Sequence, residues 1–352
     1  MGIRTGIVGA AGFAGIELTR LVLRHPDFEL VVATSNELAG TPIATEYPLF
    51  AGTTDLAFAR HDDALLSTCD LVFLAVPHTA ALAAAPALVE RGAVVVDLSA
   101  DFRLEDPAVY EQWYGVPHTQ TELLARRSFG LPELFPDDLA RAAAARAAGE
   151  GVLVGCAGCY PTATSLAAAP AVRAGLLAPD GVVVADAISG VTGAGKKATA
   201  RTHFCFANEN LEAYGVATHR HTPEIEQILG IPGRLVFTPH LAPANRGLLS
   251  TVNIPLAQDA PLDADEIRAL YRDFYAQSPF VSVLEGQPKT SSVVGTNRAH
   301  IGLAVNARAR MLISVCAIDN LGKGAASQAL QCANVVWGIP ETSGLEGVAV
   351  PV

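Results

Sequence analysis

The sequence has few charged and aromatic residues. Charged side chains make up 17% of its 352 residues and aromatic side chains 6%, whereas half of the residues are hydrophobic. Its formal net charge of −11 argues against nucleic acid and anionic membrane surfaces as partners. The length is sufficient for two domains, each with its own core.

The sequence also lacks a cysteine framework. Its six cysteines are scattered except for one C-x-x-C, and the start of the chain has no signal-peptide pattern, so we expect free thiols in the cytoplasm. The single long uncharged run, residues 151–172, contains internal glycines and prolines. It therefore predicts a strand, a turn and a helix instead of a membrane span. No repeat, low-complexity segment or linker interrupts the chain.

The chain does have a cysteine between a predicted strand and a predicted helix. The apolar run 152–154 ends at Gly155, Cys159 follows in a glycine-flanked turn, and Pro161 with Thr162 opens an Ala-rich helix. The free N–H groups and the dipole at a helix N-terminus favour an anion, here the thiolate. This placement predicts that Cys159 is a nucleophile.

Three other interpretations of Cys159 stay open from this stretch alone. Free cysteine is often a buried packing residue. Together with Cys156 it also forms a C-x-x-C, a spacing found in zinc sites and in redox pairs. No second C-x-x-C is present, and thioredoxin-like pairs open a βαβ unit near the start of a small domain.

The start of the chain predicts a dinucleotide site. A β-type run over 4–8 is followed by G-x-x-G-x-x-G and then by an amphipathic helix through Leu23. Glycines allow a tight turn and close approach of a pyrophosphate, which binds at the helix N-terminus. The residues predicted to bind the cofactor here are Gly9, Gly12, Phe13, Ala14 and Gly15.

The end of the predicted second strand, residues 28–33, bears on the choice of cofactor. NAD-specific proteins place an acid there to bind the ribose 2′-OH. This chain has Thr34, Ser35 and Asn36, with no acid before Glu37. We expect the hydroxyls of Thr34 and Ser35 to favour a 2′-phosphate, and hence NADP(H).

Strands and helices go on alternating through the first half. Predicted strands over 70–76 and 93–98 flank a predicted helix over 79–90. This pattern predicts an α/β fold with a doubly wound parallel (Rossmann) sheet, in which ligands bind at the carboxyl ends of the strands. The residues at these ends are Pro77, His78, Ser99, Asp101 and Arg103. Arg103 is a candidate anion clamp, with a surface ion pair as the alternative.

Beyond the Cys159 helix, a strand over 182–188 leads into a loop rich in glycine and lysine. The loop begins with Ser189 and Gly190 and includes Lys196. It is not a P-loop, but its backbone N–H groups and lysines suit an anion. A flexible surface loop is the alternative.

Two histidines precede a predicted helix that begins near Pro223 and Glu224. His219 and His221 flank Arg220, and in an extended segment they would share one face. A metal site would need a third ligand, so we predict no metal. A catalytic role needs only one imidazole facing Cys159.

The remaining strands predict a mixed or antiparallel sheet, because few helices separate them. A helix over 264–276 lies among them, and an Ala-rich helix over 325–337 follows the last strand and Asn320. The predicted strands are 234–240, 248–255, 281–284, 299–305 and 311–318.

Taken together, these motifs resemble the N-acetyl-γ-glutamyl-phosphate reductases of the aspartate-semialdehyde-dehydrogenase-like superfamily. The resemblance runs nearly end to end. Its segments are Gly9–Gly15, Ser99–Leu104, Gly130–Leu134, Gly158–Thr162, Ser189–Gly195, His219–Ile225 and Asp319–Ala325.

The resemblance implies an NADPH-dependent reductive dephosphorylation through a cysteine thioester. Cys159 falls on the family nucleophile and His219 or His221 on its acid/base histidine. It further implies a Rossmann domain over 1–157 completed by 321–352, and an α+β substrate and oligomerisation domain over 158–320. The assembly would be a homodimer or homotetramer, and the ligands a small acyl phosphate and inorganic phosphate.

The motifs also assign site residues besides the cysteine and the histidines. Those assigned to the cofactor include Thr34, Ser35, Pro77, Ser189, Gly190 and Asn320. Those assigned to the substrate are Ser99, Asp101, Arg103, Lys196, Arg220 and Glu224.

This chain departs from the family pattern at one place, and two alternative functions stay open. Many relatives have Ser-Arg where this chain has Ser35-Asn36. A related reductase in lysine biosynthesis acts on the one-carbon-longer aminoadipyl phosphate. A non-enzymatic NADP sensor would share the Rossmann domain, although it would have no use for the cysteine and histidines.

Overall fold

The computed structural model describes residues 2–350, which fold into two compact units. The first unit extends to Ala157 and includes Ala325–Glu346. The second unit is Gly158–Gly324 with the residues from Gly347 onward. Among residues 2–350, no helix combines the length and the apolar character needed to cross a membrane.

The first unit contains a six-stranded sheet in which every pairing is parallel, as predicted. The strand order is β2-β1-β3-β4-β6-β5, so the chain reverses its direction of winding between β1 and β3. Such a switch point opens a crevice for ligands at the carboxyl ends of the strands. The strands are β1 (Ile3–Val8), β2 (Phe28–Thr34), β3 (Leu71–Leu74), β4 (Val94–Asp97), β5 (Ser128–Gly130) and β6 (Val152–Cys156).

Helices cover this parallel sheet, whose central strands β3 and β4 are buried at every residue. The C-terminal helix, Ser327–Trp337, belongs to this unit as well. The other helices are α1 (Phe13–Val22), α2 (Ile43–Glu46), α3 (Ala81–Glu90), α4 (Pro107–Tyr114), α5 (Thr121–Arg126) and α6 (Pro136–Ala147).

The second unit contains a seven-stranded mixed sheet, which confirms the predicted mixed character. Its order is β11-β12-β13-β10-β7-β9-β8, with β11/β12 and β7/β9 parallel and the other pairs antiparallel. The strands are β7 (Val183–Gly190), β8 (Glu212–Ala213), β9 (Leu235–Ala242), β10 (Leu248–Pro255), β11 (Val281–Val283), β12 (Ala299–Asn306) and β13 (Met311–Ile318).

The helices of the second unit include one that is almost wholly buried. This helix, α7, spans Cys159–Arg173, so it begins two residues earlier than Pro161, where the sequence predicted its start. The hydroxyls of Tyr271 and Tyr275 donate to its Ala167 and Leu166 carbonyls at 2.8 and 2.7 Å. The others are α8 (Phe204–Ala207), α9 (Thr222–Leu229) and α10 (Ala264–Phe274).

Candidate active site

The turn between β1 and α1 has the geometry that a pyrophosphate requires. Gly9 has φ of +85°, and a Cβ there would overlap the Ala75 carbonyl; a Cβ at Gly15 would overlap the Gly9 carbonyl. The N-cap Gly12 differs, because the nearest atom to a Cβ there is the Gly9 oxygen at 3.7 Å. The space above the helix N-terminus is therefore open, so these residues fit a dinucleotide. Half-buried in the first turn of α1 are Phe13 and Ala14.

Thr34 lies at the end of β2, and its predicted contact with the cofactor stays a prediction. Its side chain is completely buried, and its Oγ1 lies 2.6 Å from Nδ1 of His61. Ser35 is also buried, at 7% exposure, and its N–H donates to the Ala59 carbonyl. The Thr34 hydroxyl thus holds the imidazole of His61.

Asp101 fixes the loop that follows β3. Its carboxylate is buried and accepts hydrogen bonds from the N–H groups of Thr79 and Ala81, at 2.7 and 3.0 Å, and from the Tyr110 hydroxyl at 2.8 Å. Thr79 has φ of +75°, a strained value that these bonds stabilise. Asp101 therefore positions this loop, in which Pro77 is exposed, and its predicted contact with the substrate stays a prediction.

A buried polar cluster follows β4. Ser99 is 1% exposed and donates its hydroxyl to Asp97 at 2.8 Å, and its predicted contact with the substrate stays a prediction. Burial raises the pKa of Asp97 to about 7. Arg103 keeps 6% of its surface exposed and donates to the Leu98 carbonyl at 2.6 Å. His78, predicted at the same edge, accepts the Ala100 N–H at 3.1 Å.

Cys159 differs from the other cysteines in its exposure. It is the first residue of α7, with Gly158 as N-cap, and it is half-buried. The six cysteines all lie within residues 2–350 and form no disulfide; Cys205 is exposed, and the buried ones are Cys69, Cys156, Cys316 and Cys332. Burial raises the pKa of Cys69 to about 11, as expected of a packing thiol.

Two neighbours fix the start of α7. Glu224 in the first turn of α9 is 1% exposed and accepts the N–H of Gly158 at 2.8 Å. A Cβ added at Gly324 would lie 2.6 Å from Cβ of Cys159. The Glu224 carboxylate therefore holds the backbone next to the cysteine, and its predicted contact with the substrate stays a prediction.

The two histidines lie in the loop that leads into α9. Their rings pack together, with centroids 4.9 Å apart. Tyr160, the residue after Cys159, contacts His219 at 5.6 Å and His221 at 6.0 Å. Tyr214 contacts the ring of His219 at 5.4 Å and donates to the Tyr160 hydroxyl at 3.3 Å.

The surroundings keep His219 neutral. Burial, with a contribution from the positive charge of Arg220, lowers the pKa of His219 to about 4. Its Nδ1 accepts the N–H of His221 at 3.2 Å. That bond places the ring proton of the neutral imidazole on Nε2, which makes His219 a hydrogen-bond donor at neutral pH.

Two residues predicted to contact the cofactor, Ser189 and Asn320, form hydrogen bonds around the loop after β7, and their cofactor contacts stay predictions. Ser189 is completely buried and donates its hydroxyl to the Gly190 carbonyl at 3.1 Å. Asn320 is 2% exposed; it accepts the Gly247 N–H at 2.8 Å and donates to the Thr192 hydroxyl at 2.9 Å. Both side chains thus stabilise the loop.

The other two predicted site residues of this loop, Gly190 and Lys196, differ from each other in exposure. Gly190 is buried, and a Cβ there would lie 2.8 Å from the Asn245 carbonyl. Lys196, by contrast, is exposed. Gly190 therefore serves close packing, and Lys196 remains accessible to an anion.

Sequence reasoning missed an ion pair in the second unit. Arg246 pairs with Asp319 through Nη2 at 2.9 Å and Nε at 2.9 Å, and Asp319 is completely buried. Its carboxylate also accepts the Leu321 N–H at 2.9 Å. The two partners are 73 positions apart, so no local pattern indicated the pair. Within the described 2–350 range, no group of three His, Cys, Asp or Glu residues has metal-binding geometry.

Comparison with known proteins places both units in one enzyme class. Residues 4–142 match the family model "Semialdehyde dehydrogenase, NAD binding domain", and residues 159–320 match "Semialdehyde dehydrogenase, dimerisation domain". Among solved structures, aspartate semialdehyde dehydrogenase II of Vibrio cholerae, complexed with ASA, superposes with a TM-score of 0.71 at 17% identity, covering 96% of this chain and 98% of that one. The Candida albicans enzyme with NADP gives 0.72 at 14%, with the same coverage. These structures show the fold.

The fold and the matched domains thus define an oxidoreductase of the semialdehyde dehydrogenase class with an NAD(P)-binding domain, which confirms the predicted cofactor class. Two curated relatives are named N-acetyl-gamma-glutamyl-phosphate reductase. The one from Halorhodospira halophila is 47% identical over 99% of both chains, and the one from Symbiobacterium thermophilum is 45% identical over 98% of both. The chain belongs to the N-acetyl-γ-glutamyl-phosphate reductase family, as its motifs predicted.

Proposed function

We propose that the chain reduces N-acetyl-glutamyl 5-phosphate to N-acetylglutamate 5-semialdehyde with NADPH, through a thioester on Cys159, in arginine biosynthesis. The observation that carries this proposal is the half-buried cysteine at the first position of α7, next to a tyrosine that packs on a neutral histidine. The relatives' shared name supports the substrate.

The first unit supplies the cofactor site. Gly9, Gly12 and Gly15 form a turn whose open face suits the pyrophosphate. When bound, NADPH supplies the hydride that reduces the thioester.

The first step forms the thioester. The N-terminus of α7 favours the thiolate of Cys159, which attacks the acyl carbon of the substrate. The C–S bond forms, the bond from carbon to the phosphate oxygen breaks, and the leaving phosphate takes a proton from solvent. Glu224 serves as a positioning residue, because it fixes the Gly158 N–H immediately before the nucleophile.

In the second step, reduction of the thioester carbon leaves an oxyanion on a thiohemiacetal. Nε2–H of His219 donates a hydrogen bond to that oxygen, and its neutral imidazole needs no proton from solvent to do so. The oxyanion then collapses to the aldehyde and expels the Cys159 thiolate, which regenerates the enzyme. His221, in ring contact with His219, orients it.

The phosphate needs a positive group in this largely acidic protein. Arg220 is exposed and lies close enough to His219 for its charge to lower the pKa of that imidazole. Lys196 is exposed in the loop after β7. We assign the leaving phosphate to Arg220, with Lys196 as the second cation.

The second unit also supports self-association as a homodimer or homotetramer. The match to a dimerisation domain covers residues 159–320. The same unit exposes a set of large apolar side chains, which water disfavours and a second copy would cover. They are Phe204 (74% exposed), Phe206 (64%), Leu211 (59%) and Val216 (55%).

The reverse reaction tests the activity directly. Purified protein is mixed with NADP, inorganic phosphate and N-acetylglutamate semialdehyde, and the NADPH absorbance band is followed. We expect NADPH to form when phosphate is present. We expect little cofactor reduction when NAD replaces NADP, or when the one-carbon-longer semialdehyde replaces N-acetylglutamate semialdehyde. Higher turnover with the longer semialdehyde would contradict the proposed substrate.

Two cysteine variants test the thioester. Cys159→Ala should abolish turnover, whereas Cys205→Ser, at an exposed free cysteine of the same unit, should leave it intact. A short incubation of wild type with iodoacetamide should label Cys159 and Cys205, and substrate should protect Cys159 alone. Substantial turnover by Cys159→Ala would exclude the covalent route.

A further inference from the structure

A short segment extends the parallel sheet of the first unit beyond β2, which is its edge strand. Ala59 forms a parallel bridge with Thr34; its N–H donates to the Ala33 carbonyl and its carbonyl accepts the Ser35 N–H, both at 2.9 Å. Because this segment runs in the same direction as β2, the residues after Ala59 emerge at the carboxyl edge of the sheet. This is the edge where the adenosine ribose of a dinucleotide binds in such folds.

The residues that emerge there are positively charged or hydrogen-bond donors. Arg60 and His61 are exposed. His61 is held from two sides: its Nδ1 lies 2.6 Å from the Thr34 hydroxyl, and its N–H donates to Oδ1 of Asn36 at 2.9 Å. Arg60 is held by its ion pair with Asp62 at 3.2 Å, in which both side chains are well exposed.

The end of β2 itself offers no positive charge. Thr34 is completely buried, Ser35 is nearly so, and Asn36 is neutral. The Thr34 hydroxyl can donate to Nδ1, and in that tautomer the neutral imidazole of His61 carries its proton on Nε2 and can donate it to a ligand. The exposed guanidinium of Arg60 can exchange an exposed carboxylate for a phosphate, because surface ion pairs are weak.

We propose that Arg60 and His61 bind the ribose 2′-phosphate and so determine the preference for NADP(H). This inference rests on the proposed function for the identity of the cofactor. Thr34 and Asn36 are positioning residues in this arrangement, because they hold His61 without facing the ligand.

Binding of nucleotide fragments tests the inference without turnover. Calorimetry on the full chain compares 2′,5′-ADP, which carries the 2′-phosphate, with 5′-AMP, which lacks it. We expect Arg60→Gln and His61→Ala each to weaken 2′,5′-ADP binding about tenfold and to leave 5′-AMP binding unchanged, as expected for a lost charge-assisted hydrogen bond. Arg24→Gln is the matched control, because Arg24 is an exposed arginine of the same unit just before β2, at the amino edge of the sheet.

The possible outcomes separate this inference from the proposed function. If wild type prefers 2′,5′-ADP and both variants keep that preference, the assignment to Arg60 and His61 is wrong while NADP(H) stands. If wild type binds the two fragments equally, both the inference and the NADP(H) assignment are wrong.

Discussion

Buried carboxylates hold backbone N–H groups in loops of both units. Asp101 binds two of them after β3, Glu224 binds the one before Cys159, and Asp319 binds those that follow it. A buried carboxylate needs several donors to offset its desolvation, and loop N–H groups provide them. Residues with the chemistry of ligand contacts therefore act here as parts of the scaffold.

The donor role of His219 predicts a specific mutational series. His219→Ala should lower kcat of the reverse reaction about 10²- to 10³-fold, because the oxyanion loses a donor. His219→Gln should retain part of that rate, because its amide can both accept the His221 N–H and donate. Steady-state kinetics on the three proteins checks this, and equal losses in both variants would contradict a role as hydrogen-bond donor.

The same residue predicts the acid side of the pH profile. The folded pKa of His219 is about 4, below the ordinary value of 6.5, so its neutral form persists as the pH falls to about 4. We therefore expect no loss of kcat/KM from this group between pH 7 and pH 5. As the pH falls through 4 we expect a loss, because protonated Nδ1 can no longer accept the His221 N–H that orients the ring. Its contribution to stability is complete above pH 6.5 and declines from there to pH 4, because the unfolded chain binds the proton more tightly. A rate transition near 6.5 that disappears in His219→Gln would contradict this assignment.

At the scale of elements, α7 and its neighbours determine where the cysteine lies. The sequence predicted a helix after Cys159, but not that the helix begins at Cys159 itself. Pro161 suggested the start because proline suits the first turn, and it occupies the third helical position. The difference depends on Gly158 being held by Glu224, a contact across 66 positions that local patterns do not contain.

Gly324 packs closely against the start of α7. The one-turn π-helix Gly322–Ala326 brings Gly324 against Cys159, where a methyl group would lie 2.6 Å from the cysteine Cβ. Gly324→Ala should displace the start of α7 and lower kcat at least tenfold, with a destabilisation of about 1–3 kcal/mol from overpacking. Reverse-assay kinetics and urea unfolding measure the two effects.

Gly286→Ala is the control for this substitution, because no atom lies within 4 Å of its Cβ position. It should change neither kcat nor unfolding. Full activity in Gly324→Ala would mean that the position of Cys159 tolerates displacement.

At the scale of the whole molecule, the alternation of strands and helices in the first half predicted the doubly wound parallel sheet. The later strands, which few helices separate, predicted the mixed sheet of the second unit. Periodicity and glycine spacing are local, so sequence reasoning captured them. It missed the three-residue β5 and the bridge at Ala59, because both are defined by partners far along the chain. For the same reason it identified Cys159 and the histidines, but not the packing of Tyr214 on His219 or the burial of Thr34.

The exposed aromatic side chains of the second unit predict where two copies of the chain associate. Replacing both Phe204 and Phe206 by serine should shift the protein to a smaller species, because a second copy would no longer bury two aromatic side chains. Light scattering after size-exclusion chromatography measures the mass. Leu49→Ser, which alters an exposed leucine of the first unit, is the control and should leave the mass unchanged. An unchanged mass in the double variant would place the interface on another surface.

The bridge at Ala59 has a consequence for solubility. An edge strand such as β2 presents open hydrogen-bonding groups to which a β-strand of another molecule can add. The Ala59 segment occupies the open groups of Ala33 and Ser35, so it caps the strand end against aggregation while it carries Arg60 and His61. Shortening this loop would therefore expose the hydrogen-bonding groups of Ala33 and Ser35 at the sheet edge. We expect such a variant to precipitate as well as to lose nucleotide affinity.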